Sequence, residues 1–337
     1  MQKTDFTKAL TSYFSDFLPT TRGLSKNTIM SYRDVFKLLL EYMHGVKRID
    51  ADQIELRLLD RETVLGFLNW LETNRNVSIS TRNHRLASLQ AFFRYSQYRY
   101  PDQIAACQDI IEIKPKKCAK PLVSYLDRQQ LEVLFSKPNT HIAEGRRDLT
   151  IMAVLYDSGA RVQELIDLNV NSIRLEHPSR IVLTGKGNKT RQVPLMKNTC
   201  TLLDHYLKEF HRTSTGSSPL FSNRRNCRLS RSGITYILKK YADMAQPLVL
   251  SKDISPHILR HSKAMHLLQA DVNLIYIRDF LGHANITTTE VYARADDEMK
   301  RKVFEKAVPN YTTKEMMPWE EDESLMNWLE KLGTKQF

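Results

Sequence analysis

Residues 180–194 read Arg-Ile-Val-Leu-Thr-Gly-Lys-Gly-Asn-Lys-Thr-Arg-Gln-Val-Pro, and this stretch interrupts an otherwise helical pattern. Two β-prone arms, 180–184 and 190–194, flank a Gly-Lys-Gly-Asn-Lys turn, which predicts a β-hairpin. On either side the apolar spacing returns to 3.6 residues. Helices are expected upstream at about 128–136, 145–158 and 161–168. Downstream they are expected at about 198–211, 230–245, 256–269, 273–282 and 288–295. Asp127 with Gln130 three residues on forms a capping-box pattern that opens the block. The region therefore reads as an α+β domain over 123–310, mainly α with one small antiparallel β-hairpin or sheet.

Before the hairpin domain the pattern is helical only. Ser25 is a good N-cap for a helix beginning at Lys26, and Gly45 is a stop signal after His44. Ile29, Tyr32, Val35, Phe36, Leu39, Leu40 and Met43 form its inward stripe. A further helix is expected from about Arg61 to Glu72, capped by Asp60, and another from Ser80 or Thr81 to Tyr98. The last would turn Leu86, Leu89, Phe92 and Phe93 inward and Arg82, Arg85, Arg94 and Arg99 outward. The reading is a four-helix domain over 1–112 with one basic face. Residues 113–122 carry two prolines with Lys114, Lys116, Lys117 and Lys120, and read as a basic linker. Beyond 310 an acidic tail is expected, with a stripe of Leu325, Trp328, Leu329 and Leu332 able to pack on its own domain or dock on a neighbouring protomer.

The 337 residues hold 50 Lys+Arg against 38 Asp+Glu, a formal charge of +12. The excess sits in the first two blocks, and the last 45 residues are net negative. Such a distribution fits either a long polyanion touched by both domains or ordinary solubility charge. An apolar content of 42% excludes global disorder. No run approaches the roughly 20 apolar residues of a membrane span, and residues 1–18 lack a secretory core, so a cytoplasmic location is expected. Cys107, Cys118, Cys200 and Cys227 are too scattered for a disulfide scaffold or a paired-cysteine zinc site.

Three clusters carry chemistry. In Ser158-Gly159-Ala160-Arg161-Val162-Gln163-Glu164-Leu165 a glycine ends one helix and Arg161 stands at the entry to the next, where a guanidinium can be aimed into a cleft. In Ser255-Pro256-His257-Ile258-Leu259-Arg260-His261 the Ser-Pro start puts His257, Arg260 and His261 on one face of the first turns, a set that favours an anion over a metal. Then come Leu281-Gly282-His283 and Thr287-Thr288-Thr289-Glu290-Val291-Tyr292, where Thr287 and Glu290 suggest a second capping box. Nothing in the spacing alone makes Tyr292 a nucleophile.

Taken together, these clusters and the hairpin lysines resemble the phage-integrase type of tyrosine recombinase, from about residue 3 to 306. The N-terminal helices are similar to that family's core-binding, SAM-like domain. The resemblance implies that Arg161 and Arg260 clamp a scissile phosphate and that Lys186 protonates the leaving 5′ oxygen, with Lys189 as the competing lysine. It further implies that His257 acts as general acid/base beside the tyrosine. His283 would bond the phosphate, and Tyr292 would attack it to give a 3′-phosphotyrosyl link. Glu164 matches an accessory acidic position, and His261 is expected to be structural. Neither metal nor ATP nor other cofactor is implied. Ser262-Lys263-Ala264-Met265 departs from the family's usual small apolar or Thr-rich stretch.

The expected activity is site-specific recombination or integration on duplex DNA, with a homodimer or homotetramer on the sites and accessory recombinases or bending proteins as further partners. The rivals are a type IB-like topoisomerase, dimer resolution, a non-catalytic DNA-binding protein and a metal-dependent nuclease. DNA contacts are expected from Lys26, Arg82, Arg85, Lys114, Lys116, Lys117, Lys189, Arg224, Arg225, Arg228 and Arg231.

Overall fold

The computed structural model describes residues 4–118, 123–249, 254–283 and 285–295, together with positions 327, 329 and 331. The chain divides into two units, Met1–Pro121 and Leu122–Phe337. Of the C-terminal stripe only Leu329 is described, helical and exposed; elsewhere in the expected tail only positions 327 and 331 are described.

The N-terminal unit contains α1 (Asp5–Ser12), a π-helical continuation (Tyr13–Thr21), α2 (Lys26–Gly45), α3 (Arg61–Arg75), α4 (Ile79–Ser96) and α5 (Ile104–Ile111). Caps set the starts. Ser25 accepts from the Thr28 amide, Asp60 from Thr63 and Ser78 from Thr81. The Ser78 cap begins α4 earlier than Ser80 or Thr81. Helix α5 was not anticipated; it buries Cys107 and Ile110. Phe92 packs edge-to-face on Phe6, Tyr13 and Phe36 with centroids 5.0–6.0 Å apart, each pair adding about 0.5–1.5 kcal/mol beyond area burial.

Two expectations for this unit are corrected. Arg82 does not face outward: its side chain is only 5% exposed and its Nε lies 2.8 Å from Glu72 Oε1. The reason is register, because positions 82, 86, 89 and 93 share one helical face and Leu86, Leu89 and Phe93 are core. The basic segment is also not free from residue 113. Ile113 is buried, Asn83 exchanges both amide bonds with the Lys116 backbone, and the Lys116 ammonium sits 2.8 Å from Glu72.

In the C-terminal unit α6 (Arg128–Phe135), opened by the Asp127–Gln130 capping box, leads to the largely buried α7 (Ala143–Ser158) and short α8 (Val162–Ile166). A three-stranded antiparallel sheet follows, of β1 (Ile173–Arg174), β2 (Arg180–Thr184) and β3 (Thr190–Pro194). Its hairpin register pairs Thr184 with Thr190 and Val182 with Gln192, which puts Ile181, Leu183 and Val193 into the core. Helices α9 (Lys197–Phe210), α10 (Arg231–Met244), α11 (Pro256–Gln269), α12 (Leu274–Leu281) and α13 (Thr287–Ala295) complete the unit. Both α12 and α13 pack on α11, which in turn packs on α7. This brings the three sequence clusters to one end of the unit.

Candidate active site

The site is built around one buried carboxylate and three arginines. Glu164, 3% exposed, reaches back to the Arg161 amide (2.9 Å) and accepts Arg161 Nη1 at 2.7 Å. Its two oxygens also take Arg191 Nη1 and Nη2 at 3.0 and 2.8 Å. Burial alone would raise the Glu164 pKa, but the bonds from Arg191 and Arg161 outweigh it and hold the carboxyl below its usual range. Arg161 keeps 36% of its side chain in solvent, so it faces the cleft.

The end of α12 fixes the guanidinium groups. Gly282 adopts φ +65° and closes the helix, leaving terminal carbonyls without intrahelical partners. Three consecutive carbonyls are then each met by a different arginine. Arg191 Nε donates to Phe280 O at 2.9 Å, Arg260 Nη2 to Leu281 O at 2.7 Å and Arg161 Nη2 to Gly282 O at 3.1 Å. Arg260, 3% exposed, also donates to Gly159 O at 2.5 Å. Burial first, then Arg161 and Arg191, push its pKa down to about 10, so it remains charged at neutral pH.

The same turn delivers His283, whose Nδ1 lies 3.0 Å from Thr289 Oγ1 of α13. The His283 ring stacks on Tyr292 with centroids 6.4 Å apart and 11° between planes. Tyr292 is 2% exposed and points inward, its hydroxyl 2.8 Å from His261 Nδ1. Burial raises the Tyr292 pKa while Arg260 and Arg161 oppose the rise. His257 is solvent-facing and stacks on His261 at 6.2 Å. The histidines on the site are all depressed. For His257 the causes are lost hydration, then Arg260 and Arg161; for His261 they are burial, then His257 and Arg260. His283 falls to about 4 through burial and the charges of Arg260, Arg161 and Arg191. One carboxylate among three guanidiniums and three imidazoles leaves a cationic cleft whose missing counter-ion is an oxyanion. Among the described residues no group of three or more His, Cys, Asp or Glu side chains is placed to hold a metal ion.

Of the residues expected at the site, Arg161, Glu164, His257, Arg260, His283 and Tyr292 lie together. Lys186 occupies the hairpin turn, but its side chain lies outside the described residues. The turn itself sits against the cluster, since a Cβ at Gly185 would fall 2.9 Å from Glu164 Oε1. Lys189 is exposed. Reading by sequence passed over Arg191, Thr289 and the contact of His261. The signal for Arg191 was present, because it shares the inward face of β3 with buried Val193.

The expected DNA contacts divide. Lys26, Lys114, Lys117 and Arg225 are exposed, and Arg224 is exposed while lying 3.5 Å from Glu144. Arg85 is half-buried, and its Nη1 is buried without a hydrogen-bond partner. Arg228 is exposed but its guanidinium is tied to the chain, donating to Ile166 O, Leu168 O and Asn169 Oδ1 at 2.6–3.1 Å, because the carbonyls ending α8 need donors. Arg231 donates to Gln163 at 2.9 Å.

Comparison with known proteins agrees with this geometry. Residues 124–299 match the model described as Phage integrase family, and residues 12–99 match Phage integrase, N-terminal SAM-like domain. The chain is 32% identical over 326 residues to "Putative integrase/recombinase y4rC" of Sinorhizobium fredii, covering 96% of this chain and 97% of that protein. It is 32% identical over 300 residues to "Tyrosine recombinase XerD" of Listeria monocytogenes, covering 88% and 97%. The fold matches the crystal structure of the XerH site-specific recombinase bound to palindromic difH substrate, with TM-score 0.67 and 21% identity over 84% of this chain and 80% of that one. With a catalytic-domain match spanning more than half its length and relatives at this identity along nearly all of it, the chain belongs to the phage integrase family of tyrosine recombinases.

Proposed function

We propose that the protein is a site-specific DNA recombinase, acting in the cytoplasm on the ends of a mobile element. The observation that carries this reading is a buried tyrosine hydroxyl beside a cleft lined by Arg161, Arg260 and His283, where Glu164 is the carboxylate that the described residues set against the guanidinium groups. A tetrahedral phosphate satisfies such a cleft, because guanidinium forks bind its non-bridging oxygens and neutralise charge that grows during attack. Tyr292 Oη forms the new P–O bond, the P–O5′ bond breaks, and the strand is held as a 3′-phosphotyrosyl ester. That ester keeps the energy of the phosphodiester, so rejoining needs only attack by a 5′ hydroxyl from the partner strand. Lys186 is the proposed donor to the departing 5′ oxygen, and Lys189 is the alternative. His283 bonds a phosphate oxygen.

The N-terminal unit supplies duplex contacts. Its Lys26, Lys114 and Lys117 offer exposed positive charge for backbone phosphates, as does Arg225 of the C-terminal unit, and the unmet donor of Arg85 suits a phosphate or base edge. Arg82 and Arg228 are withdrawn from that role by their internal bonds. Strand exchange between two sites calls for four active sites, hence a tetramer on DNA. The names of the relatives favour recombination over relaxation of arbitrary DNA.

The test is a nicked suicide duplex bearing the terminal sequence of the element that carries the gene. The protein is expected to form an SDS-resistant adduct, and Tyr292→Phe to abolish it. An adduct that survives this substitution, or its absence from the unmutated protein, would overturn the proposal. Relaxation of any supercoiled plasmid by monomer would favour the topoisomerase reading instead.

A further inference from the structure

The histidine that meets the nucleophile is not the one the family resemblance implied. His257 faces solvent, whereas His261 sets its Nδ1 2.8 Å from the Tyr292 hydroxyl. We propose that His261 is a catalytic residue of this chain, the general base that takes the tyrosine proton during strand cleavage and returns it during rejoining. The inference rests on the strand-transfer reading above.

Geometry carries the assignment. A buried phenol is a poor nucleophile until its proton leaves, and here the acceptor within hydrogen-bond reach is the His261 nitrogen. Two rings pack against it. The Tyr292 ring meets it with centroids 5.6 Å apart at 58°, and the His257 ring stacks on it at 6.2 Å and 27°. His261 is half-buried on α11, one residue after the phosphate-clamping Arg260, so base and clamp ride on the same turn. The charged and titratable groups facing it are His257 and Arg260 from its own helix, Tyr292 from α13 and His283 from the turn before α13. None is an anion while Tyr292 keeps its proton. The imidazole is therefore held neutral near pH 7, with a lone pair on Nδ1 when the proton is on Nε2.

The step balances. Tyr292 Oη bonds to phosphorus as its proton passes to His261 Nδ1. The P–O5′ bond breaks, and the 5′ oxygen takes a proton from the Lys186 or Lys189 donor. The imidazolium so formed lies beside the phosphate, an anion throughout that gains further negative charge in the transition state and offsets the imidazolium charge. In rejoining, His261 returns the proton to the departing tyrosinate.

Single-turnover adduct formation on the suicide duplex, followed from pH 5 to 9, tests this. The unmutated rate should fall on acidification as His261 protonates, in a window below the ordinary imidazole range because burial, His257 and Arg260 depress it. His261→Asn should slow adduct formation by about 10²–10⁴-fold, remove that acid limb and leave a rate that climbs with pH. Replacing Tyr292 by a more acidic fluorotyrosine should restore much of the loss. His257→Asn should keep the acid limb. His261→Asn within threefold of the parent, with an unchanged pH profile, would overturn the assignment. If His261→Asn melts below the parent, the solvent isotope effect on adduct formation by the unmutated protein decides. A normal effect supports a proton in flight, and its absence overturns the proposal. Should the unmutated protein form no Tyr292 adduct, the strand-transfer reading falls and this inference with it. Should the adduct form and His261→Asn be indifferent, only the inference falls.

Discussion

Glu164→Gln has consequences that follow from the bonding around one carboxylate. Oε1 accepts from Arg161 Nη1 and Arg191 Nη1, and Oε2 accepts from the Arg161 amide and Arg191 Nη2. An amide keeps one acceptor oxygen and turns an NH2 group towards the other pair of donors. Whichever way it rotates, two of the four bonds become donor facing donor, and three arginines lose their shared anion. Breaking a buried pair costs about 3–5 kcal/mol, and the retained oxygen places this case near 3. At about 2–4 °C per kcal/mol for a unit of this size, the melting temperature of the C-terminal unit should fall by about 6–12 °C. Scanning calorimetry of the full chain measures it. Added sulfate should stabilise the variant more than the parent, since an oxyanion then supplies the missing charge. A loss under about 1 kcal/mol, the range of exposed ion pairs, with no differential response to sulfate would refute the argument.

Acidification should destabilise the protein from about pH 6.5 downward. His283 has its folded pKa near 4 against a model value of 6.5, and His257, His261 and His266 are depressed too, so the unfolded chain binds more protons in that window. The stability is fully present above the unfolded value and fades as pH falls towards the folded one. His283 alone accounts for on the order of 2 kcal/mol after solvent screening, and a melting temperature that stays flat from pH 7 to 5 would contradict this. Arg82→Ala should cost about 1.5–3 kcal/mol in urea unfolding through its lost bond to the half-buried Glu72 carboxylate, while leaving the salt dependence of DNA binding unchanged. Lys117→Ala should do the reverse, holding stability and lowering the slope of log K against log salt by about 0.9; an equal slope would remove Lys117 from the contact surface. Gly282→Ala puts a Cβ 3.0 Å from Arg191 Nη1 at φ +65°, and should cost about 1–2 kcal/mol with a larger loss of adduct formation. Adduct formation at the parental rate would show that the end of α12 does not position the guanidiniums.

What could be read from sequence, and what could not, follows from the distance over which each interaction acts. Caps are local, so Ser25, Asp60 and the Asp127–Gln130 box announced their helices, and Ser78 was missed only because Ser80 and Thr81 compete for the same role. Alternation on a hairpin is local too, which is why β2 and β3 fell where expected. Arg82 turns inward because its register with Leu86, Leu89 and Phe93 outweighs its charge, and a single half-buried carboxylate at Glu72 is enough to let register win. The site itself obeys no local rule. The carbonyls of residues 280, 281 and 282 are tied by arginines 191, 260 and 161, across separations of 89, 21 and 121 residues. Each arginine thereby spends donors on the backbone that carries His283, so the clamp and the histidine cannot move independently. Rigidity of that kind is what a cleft of like charges requires. Without the three carbonyls and Glu164, Arg161, Arg191 and Arg260 would repel one another apart, and the cationic cleft would close only when a phosphate had already arrived. With them, it is assembled in advance, and binding energy from the DNA is left to drive the chemistry.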